Sequence, residues 1–123
     1  MESIFAAMHI QDDLMSRWWR LEAKLVERFG KKPDLESILF LIGVQEYRGE
    51  LQKFTKEQKQ DLMHIAICTV LLPGDYYTKD SVDEEGWPHF TQIKPMPEIS
   101  TIEQENLIKD YVLLYFEVND FLG

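Results

Sequence analysis

The chain has 123 residues, of which 45% are hydrophobic and 28% charged, and its net charge is -9. This length is typical of a single domain, and the apolar content is too high for a disordered chain. We therefore expect one domain over residues 1–123 that folds alone. The negative charge disfavours nucleic acid as a partner, because such binding depends on Lys and Arg side chains that neutralise phosphates.

The cysteine content and the length of the apolar runs indicate the cellular compartment. The single cysteine, Cys68, excludes an internal disulfide and a multi-thiolate zinc site. The first ten residues lack the basic region of an export signal, and no apolar run is long enough to span a bilayer. These features predict a cytoplasmic protein that does not bind membranes.

Helical periodicity dominates the chain and predicts an all-α fold of four helices with no sheet. The first helix is predicted over residues 12 to 29. It ends at Gly30, because glycine readily adopts the left-handed conformation after a helix. The second is predicted to begin at Pro33 or Asp34, which suit a first turn and a cap, and to run to about Arg48.

The first helix has an apolar arc of about 160°, at 100° per residue. The large apolar residues of this arc are Leu14, Met15, Trp18, Trp19, Leu21, Leu25, Val26 and Phe29. The basic residues of the helix and its end fall elsewhere and are Arg17, Arg20, Lys24, Arg28 and Lys31. We interpret them as a solvated face that could dock an acidic partner.

The third and fourth helices begin with the spacing of a capping box. Thr55 and Gln58 open the third helix, which ends before Pro73, and its second half is apolar nearly all round. Ser100 and Glu103 open the fourth helix. Its apolar face continues at spacings of three and four through Leu107, Tyr111, Leu114, Val118 and Phe121.

A long connection, residues 73 to 99, separates the third helix from the fourth. Its aromatic content argues for an ordered loop, since disordered segments are poor in such residues. The candidate binding residues of this loop are Tyr76, Tyr77, Trp87, His89 and Phe90. They suit an exposed recognition surface, but aromatic residues also bury much area, so the alternative is that they hold the loop on the core. We expect Trp87 to pack against the helices.

Two carboxylates fall within apolar helix faces, Glu22 on the first helix and Glu46 on the second. A buried carboxylate needs a polar partner or a cation, so we expect each to have one. With Asp61 and His64 on the third helix, they could form an interhelical site for one divalent metal, Fe, Mn or Zn. The interpretation we favour is a structural hydrogen-bond network with no cofactor.

Cys68 lies one helical turn after His64, the spacing of a nucleophile and its base. Both fall in a segment that the sequence predicts to be buried, whereas a reactive thiol needs partial exposure and a positive environment. We therefore interpret Cys68 as a small core residue. Motifs for phosphate-binding loops, dinucleotide folds, hydrolase nucleophiles and zinc proteases are missing from the sequence.

The function predicted from these features is a non-catalytic protein-interaction module. The alternative is a metal-binding protein or a small metal-dependent enzyme built on the four residues of the interhelical site. Helices two and three need much covering surface, so the partner could be a second copy. A homodimer would use apolar helix surface at Trp18 or Trp19 rather than the acidic second half of the chain.

Overall fold

The computed structural model describes the backbone of residues 2–119 and the side chains from residue 13 onward. The helices are α1 (Glu2–Phe29), α2 (Leu35–Glu46), α3 (Lys56–Val70) and α4 (Thr101–Asn119). Between α3 and α4 lie a 3₁₀ turn (Leu72–Gly74) and the strands β1 (Tyr77–Val82) and β2 (Pro88–Gln92). The four predicted helices are confirmed. The prediction of no sheet is wrong, so the protein is mostly helical rather than all-α.

The sheet is one antiparallel hairpin within the long connection. Tyr77 of β1 pairs with Gln92 of β2, and the register shifts around Asp80. Five of the six residues of β1 are exposed. Strand prediction depends on apolar residues that alternate with polar ones, and a strand exposed on both faces has no such alternation. For this reason the sequence predicted an ordered loop, and not two strands, for these residues.

Two helix boundaries differ from those predicted. α1 begins at Glu2 rather than near residue 12, and the added turns have no Pro or Gly and include the strong helix formers Ala6 and Ala7. α2 ends at Glu46 rather than Arg48, because Tyr47 has an extended backbone with ψ of 129°. Hydrophobic patterning did not detect either end.

The capping predictions are confirmed more closely. Thr55 Oγ1 accepts a hydrogen bond from the backbone N–H of Gln58 at 3.1 Å, and the Gln58 side chain accepts one from the Thr55 N–H at 2.9 Å. At the start of α4, Ser100 Oγ accepts from the backbone N–H of Glu103 at 3.2 Å. Phe121, the last predicted apolar residue of the fourth helix, lies outside the described residues.

One apolar core joins the helices. α2 packs along α3, and α4 contacts both α3 and α1. The most deeply buried side chains are Leu25, Ile38, Ile42, Leu62, Cys68, Val70, Leu71 and Val112. At Gly43 of α2 a β-carbon would collide with the backbone of Leu62, so α2 and α3 approach too closely for any side chain there. None of the described helices has an apolar segment long enough to cross a membrane.

Candidate functional site

The two inward carboxylates both have polar partners, as predicted. Glu22 Oε2 lies 3.6 Å from the ammonium of Lys32, and its side chain is 14% exposed. Glu46 accepts a hydrogen bond of 2.9 Å from the hydroxyl of Tyr115 on α4. Burial, with this hydrogen bond to Glu46, raises the pKa of the Tyr115 hydroxyl far above its usual value. The phenol therefore stays protonated and remains a donor to the carboxylate.

The four residues of the predicted metal site do not form one cluster. Glu22 is held at the end of α1, Glu46 faces α4, and Asp61 and His64 are exposed on α3. Within residues 13–119, no group of three His, Cys, Asp or Glu side chains is placed to hold a metal ion. Periodicity placed each residue on a face of its own helix but could not show which helix that face meets.

Cys68 is a buried thiol beside His64. Its Sγ lies 3.6 Å from His64 Nε2, and no part of the residue is exposed. Burial raises the pKa of the Cys68 thiol to about 11, against a backbone hydrogen bond and a hydrogen bond with Tyr77 that both lower it. A thiol with this pKa is protonated at neutral pH and is a poor nucleophile, which agrees with the core interpretation.

The loop aromatics are largely packed on the protein. Tyr76 is buried edge-to-face against Tyr111 of α4, with 6.3 Å between ring centroids. Tyr77 and Phe90 are half-buried, whereas His89 is exposed. Most of the predicted recognition surface therefore holds the hairpin in place.

Trp87 packs with Tyr47 and Phe54 in what we call the hairpin aromatic cluster. Its ring centroid lies 4.8 Å from that of Tyr47 and 6.2 Å from that of Phe54. Tyr47 directly follows α2 and Phe54 lies in the α2–α3 connection, so the ring partners of Trp87 lie in this connection. The cluster joins the hairpin to the α2–α3 connection.

The turn of the hairpin is fixed by Asp83. Its Oδ1 accepts backbone hydrogen bonds from Glu85 and Trp87, both at 3.0 Å, and its Oδ2 lies 2.9 Å from His89 Nε2. The contact with His89, followed by these backbone donors, lowers the pKa of the Asp83 carboxyl. The ionised carboxylate is therefore the form that organises the turn.

The same turn lies against the α2–α3 connection at Gly49. Gly86 has φ of +96°, and a β-carbon there would collide with the Gly49 backbone. The Gly86 carbonyl accepts a hydrogen bond of 2.9 Å from the Arg48 N–H. Beside this contact lies a groove of about 660 Å³, lined by Glu50, Glu84 and Glu85 among other residues. Its lining is mainly polar.

α1 does not bury the whole apolar arc that the sequence predicts for it. Trp18, Leu21 and Leu25 are buried in the core. Four other members of the arc are exposed: Met15 by 50%, Trp19 by 60%, Val26 by 38% and Phe29 by 49%. These four follow each other at helical spacing along one line, and we call them the exposed apolar stripe.

Most basic residues of α1 lie on the other side of the helix, while the Arg28 guanidinium lies 5.9 Å from the ring centroid of Phe29. One residue of the basic face, Arg17, is held in ion pairs. Arg17 pairs with Asp110 at 3.2 Å and Glu117 at 3.4 Å, both on α4, and with Asp13 at 3.7 Å. Arg17 therefore helps to attach α1 to α4. Of the other basic residues, Arg20 and Lys24 remain exposed to solvent.

Sequence reasoning offered Trp18 or Trp19 as apolar surface for a dimer but did not separate the exposed members of the arc from the buried ones. An arc of about 160° is wider than the face that a surface helix typically buries, roughly 100°. This excess width was the signal that part of the arc would remain uncovered.

Comparison of the chain with family models, curated proteins and solved structures gives no match. The function is therefore inferred from this geometry.

Proposed function

We propose that this chain is a non-catalytic protein-interaction module that docks a partner α-helix on the exposed apolar stripe. The observation that carries the proposal is the alignment of Met15, Trp19, Val26 and Phe29 on one face of α1, each more than a third exposed. Other exposed large apolar residues, such as Leu51, Ile93 and Val118, are scattered over separate elements. Single exposed residues are common on protein surfaces, whereas an aligned group marks an interaction site.

The size of the stripe supports a specific but modest interaction. Large aromatic side chains bury about 150 to 250 Å² when fully covered, so these half-exposed residues leave roughly 400 Å² of apolar surface. Covering that area contributes about 10 kcal/mol on this side of the interface. Association itself costs about 4 to 15 kcal/mol. The balance favours a partner that contributes an apolar face of its own.

The shape of the stripe favours a helix as that partner. Residues 15, 19, 26 and 29 form a straight ridge about 21 Å long, at 1.5 Å per residue. A second amphipathic helix packs along such a ridge with its own side chains at the same spacing. Trp19 and Phe29 are anchors of the type that dominates binding energy in protein interfaces.

The remaining features agree with a module that works in a reducing compartment such as the cytoplasm. Cys68 is a buried free thiol, and the net charge of -9 opposes binding to nucleic acid. The hairpin residues proposed for recognition from the sequence support the fold instead, apart from the exposed His89. The docking surface that we propose is therefore on α1.

Site-specific photocrosslinking tests this function. A photoreactive phenylalanine analogue is placed at Val26 on the stripe or, as the control, at Lys24 on the basic face, and the native cells are irradiated. We expect a discrete product from position 26 alone, with its crosslink in an amphipathic helix when mapped by mass spectrometry. Equal products from both positions, or none from position 26, would contradict the proposal.

A further inference from the structure

We infer that the partner helix is α1 of a second copy of this chain, so that the two exposed apolar stripes pack on each other across a two-fold axis. This inference rests on the proposed function and names its partner. In a two-fold interface the same patch serves both sides, so a ridge that fits an identical ridge needs no second surface. The stripe meets this condition in its spacing and in the small residues on its flank.

The spacing is that of a coiled-coil seam. Positions 15, 19, 22, 26 and 29 follow each other at intervals of four and three, the repeat by which two helices keep one seam in contact. Four of the five positions hold the residues of the stripe, and the fifth is Glu22. Trp18 and Leu25, next to this line, are buried within their own subunit. The seam therefore lies at the boundary of the core, open on one side.

The open flank of the seam carries small residues. Ser16 and Ala23 lie beside the stripe on the side away from the core, seven residues apart, and both are exposed. Small side chains there let a second helix backbone come close while the large residues of the ridge fill the space between the helices. The charged residue nearest this row is the exposed Glu27, about 20° from Ser16 around the helix.

Glu22 determines the direction of the second helix. In a parallel pair, the two Glu22 side chains would occupy the same layer, and their like charges would face each other. Glu22 is the midpoint of positions 15 to 29, so an antiparallel pair with full overlap would also bring the two Glu22 side chains together. A register that sets Glu22 opposite Trp19 or Val26 separates them by about 4.5 to 6 Å along the axis, and each carboxylate keeps Lys32 as a partner at 3.6 Å. The two helix dipoles also oppose each other favourably in this direction. The pair is therefore antiparallel.

The available area predicts a weak to moderate dimer. The described stripe offers roughly 400 Å² per copy, about half of what a standard interface buries on each partner. In the sequence, the four-and-three spacing continues toward the N-terminus with Asp12, Met8 and Phe5, beyond the described side chains. We expect a dissociation constant in the micromolar range that decreases as salt screens the net charge of -9 on each copy.

An anionic membrane is the main alternative occupant, and the charge distribution disfavours it. Helices that lie on membranes keep their basic residues beside the apolar face, where they reach the lipid headgroups. Here Lys24 lies about 180° from Met15 around the helix at 100° per residue, and Arg20 about 140°. Arg17 is held by Asp110 and Glu117 of α4. A bilayer under the stripe would meet Arg28, which lies 5.9 Å from the ring centroid of Phe29, and Lys32, which pairs with Glu22, but not the rest of the basic face.

Sedimentation of the full chain at increasing concentration tests self-pairing. The variants are Trp19→Glu on the stripe and, as a matched control, Lys24→Glu on the opposite face. The mass of the wild type and of Lys24→Glu should rise from 14.6 kDa toward twice that value, and Trp19→Glu should weaken pairing at least about tenfold. Because Trp19 is 60% exposed, circular dichroism should show that this variant stays folded.

Three outcomes would overturn self-pairing. These are a wild type that remains monomeric at about 1 mM, a Trp19→Glu variant that dimerises like the wild type, and binding of the wild type to phosphatidylglycerol vesicles that Trp19→Glu abolishes. In each case, a crosslink from position 26 to a helix of another protein would leave the proposed interaction function standing. Loss of that crosslink as well would end both proposals.

Pulsed electron–electron double resonance, which measures the distance between two spin labels, tests the antiparallel direction of the two helices. Spin labels are attached to Ser16→Cys or Glu27→Cys, while the buried Cys68 is protected from labelling. A parallel pair keeps the labels of both variants at a similar short separation. An antiparallel pair moves at least one label pair apart by about 16 Å along the helix, whatever the register, because the two sites lie eleven residues apart. Two short distances would overturn the antiparallel arrangement.

Discussion

Two tryptophans show how differently two regions of this molecule use aromatic surface. Trp87 lies in an irregular segment, yet it is packed with Tyr47 and Phe54 at centroid distances of 4.8 and 6.2 Å. Trp19 lies in the middle of a regular helix, yet it is 60% exposed. Regular structure is therefore not a guide to which apolar surface is covered. The hairpin aromatic cluster is covered by residues of its own chain, whereas the exposed apolar stripe on α1 is not.

This contrast separates stability from binding. Removal of a side chain that its own chain covers leaves a cavity or an unfilled contact, and the free energy of unfolding falls. Removal of a side chain that only a partner would cover changes the monomer little. Each region therefore makes a different prediction for the same kind of substitution.

Trp87→Ala should lower the free energy of unfolding by about 3 kcal/mol, at the low end of the range for large aromatic truncation because the ring is half-buried. Trp19→Ala should change it by less than about 0.5 kcal/mol when measured in dilute protein, where no dimer forms. Urea denaturation of both variants checks the pair. Equal losses would mean that the two regions do not differ in the way described.

Gly86→Ala should lower the free energy of unfolding by about 2 to 3 kcal/mol, because a β-carbon meets the Gly49 backbone and φ is positive. Gly30→Ala is the matched control. Gly30 also has positive φ, at +85°, but nothing lies within 4 Å of an added β-carbon. Its loss should be about 1 kcal/mol. If thermal unfolding showed that both variants lose the same free energy of unfolding, the docking of the hairpin turn on residues 47–50 would contribute little to stability.

Asp83→Asn should destabilise the hairpin at neutral pH, and the difference from the wild type should fade in acid. The folded-state pKa of Asp83 lies below its usual value of 3.8. Its carboxylate therefore stabilises the folded state above that pH, and this contribution is lost as the pH falls through the lowered pKa. Denaturant unfolding of both proteins at about pH 7 and about pH 2.5 checks this. A constant difference would show that charge is not the cause.

The sequence was sufficient for features set by neighbouring residues. The capping box of Thr55 and Gln58 depends on a spacing of three, and the structure reproduces it. The inward direction of Glu22 and Glu46 follows from the helical phase alone. These predictions succeed because the physical cause lies within one or two helical turns.

Features set by distant parts of the chain could not be predicted. Helical phase placed both Trp18 and Trp19 in the apolar arc but could not show that Trp18 is buried beside Lys109 of α4 while Trp19 stays exposed. For the same reason the four metal-ligand candidates are not brought together among the described residues, since the hypothesis assumed which helix faces meet. The hairpin was missed because both faces of β1 are largely exposed, so burial left no alternation to detect.

Hydroxyl-radical footprinting of the three tryptophans, in dilute and in concentrated protein, tests most directly the claim that α1 carries an interface while the hairpin is covered within its own chain. We predict that oxidation of Trp19 falls several-fold as the concentration rises, while Trp18 and Trp87 react slowly and equally in both samples. The opposite result, in which Trp19 reacts equally at all concentrations or Trp87 is the residue that becomes protected, would contradict the account.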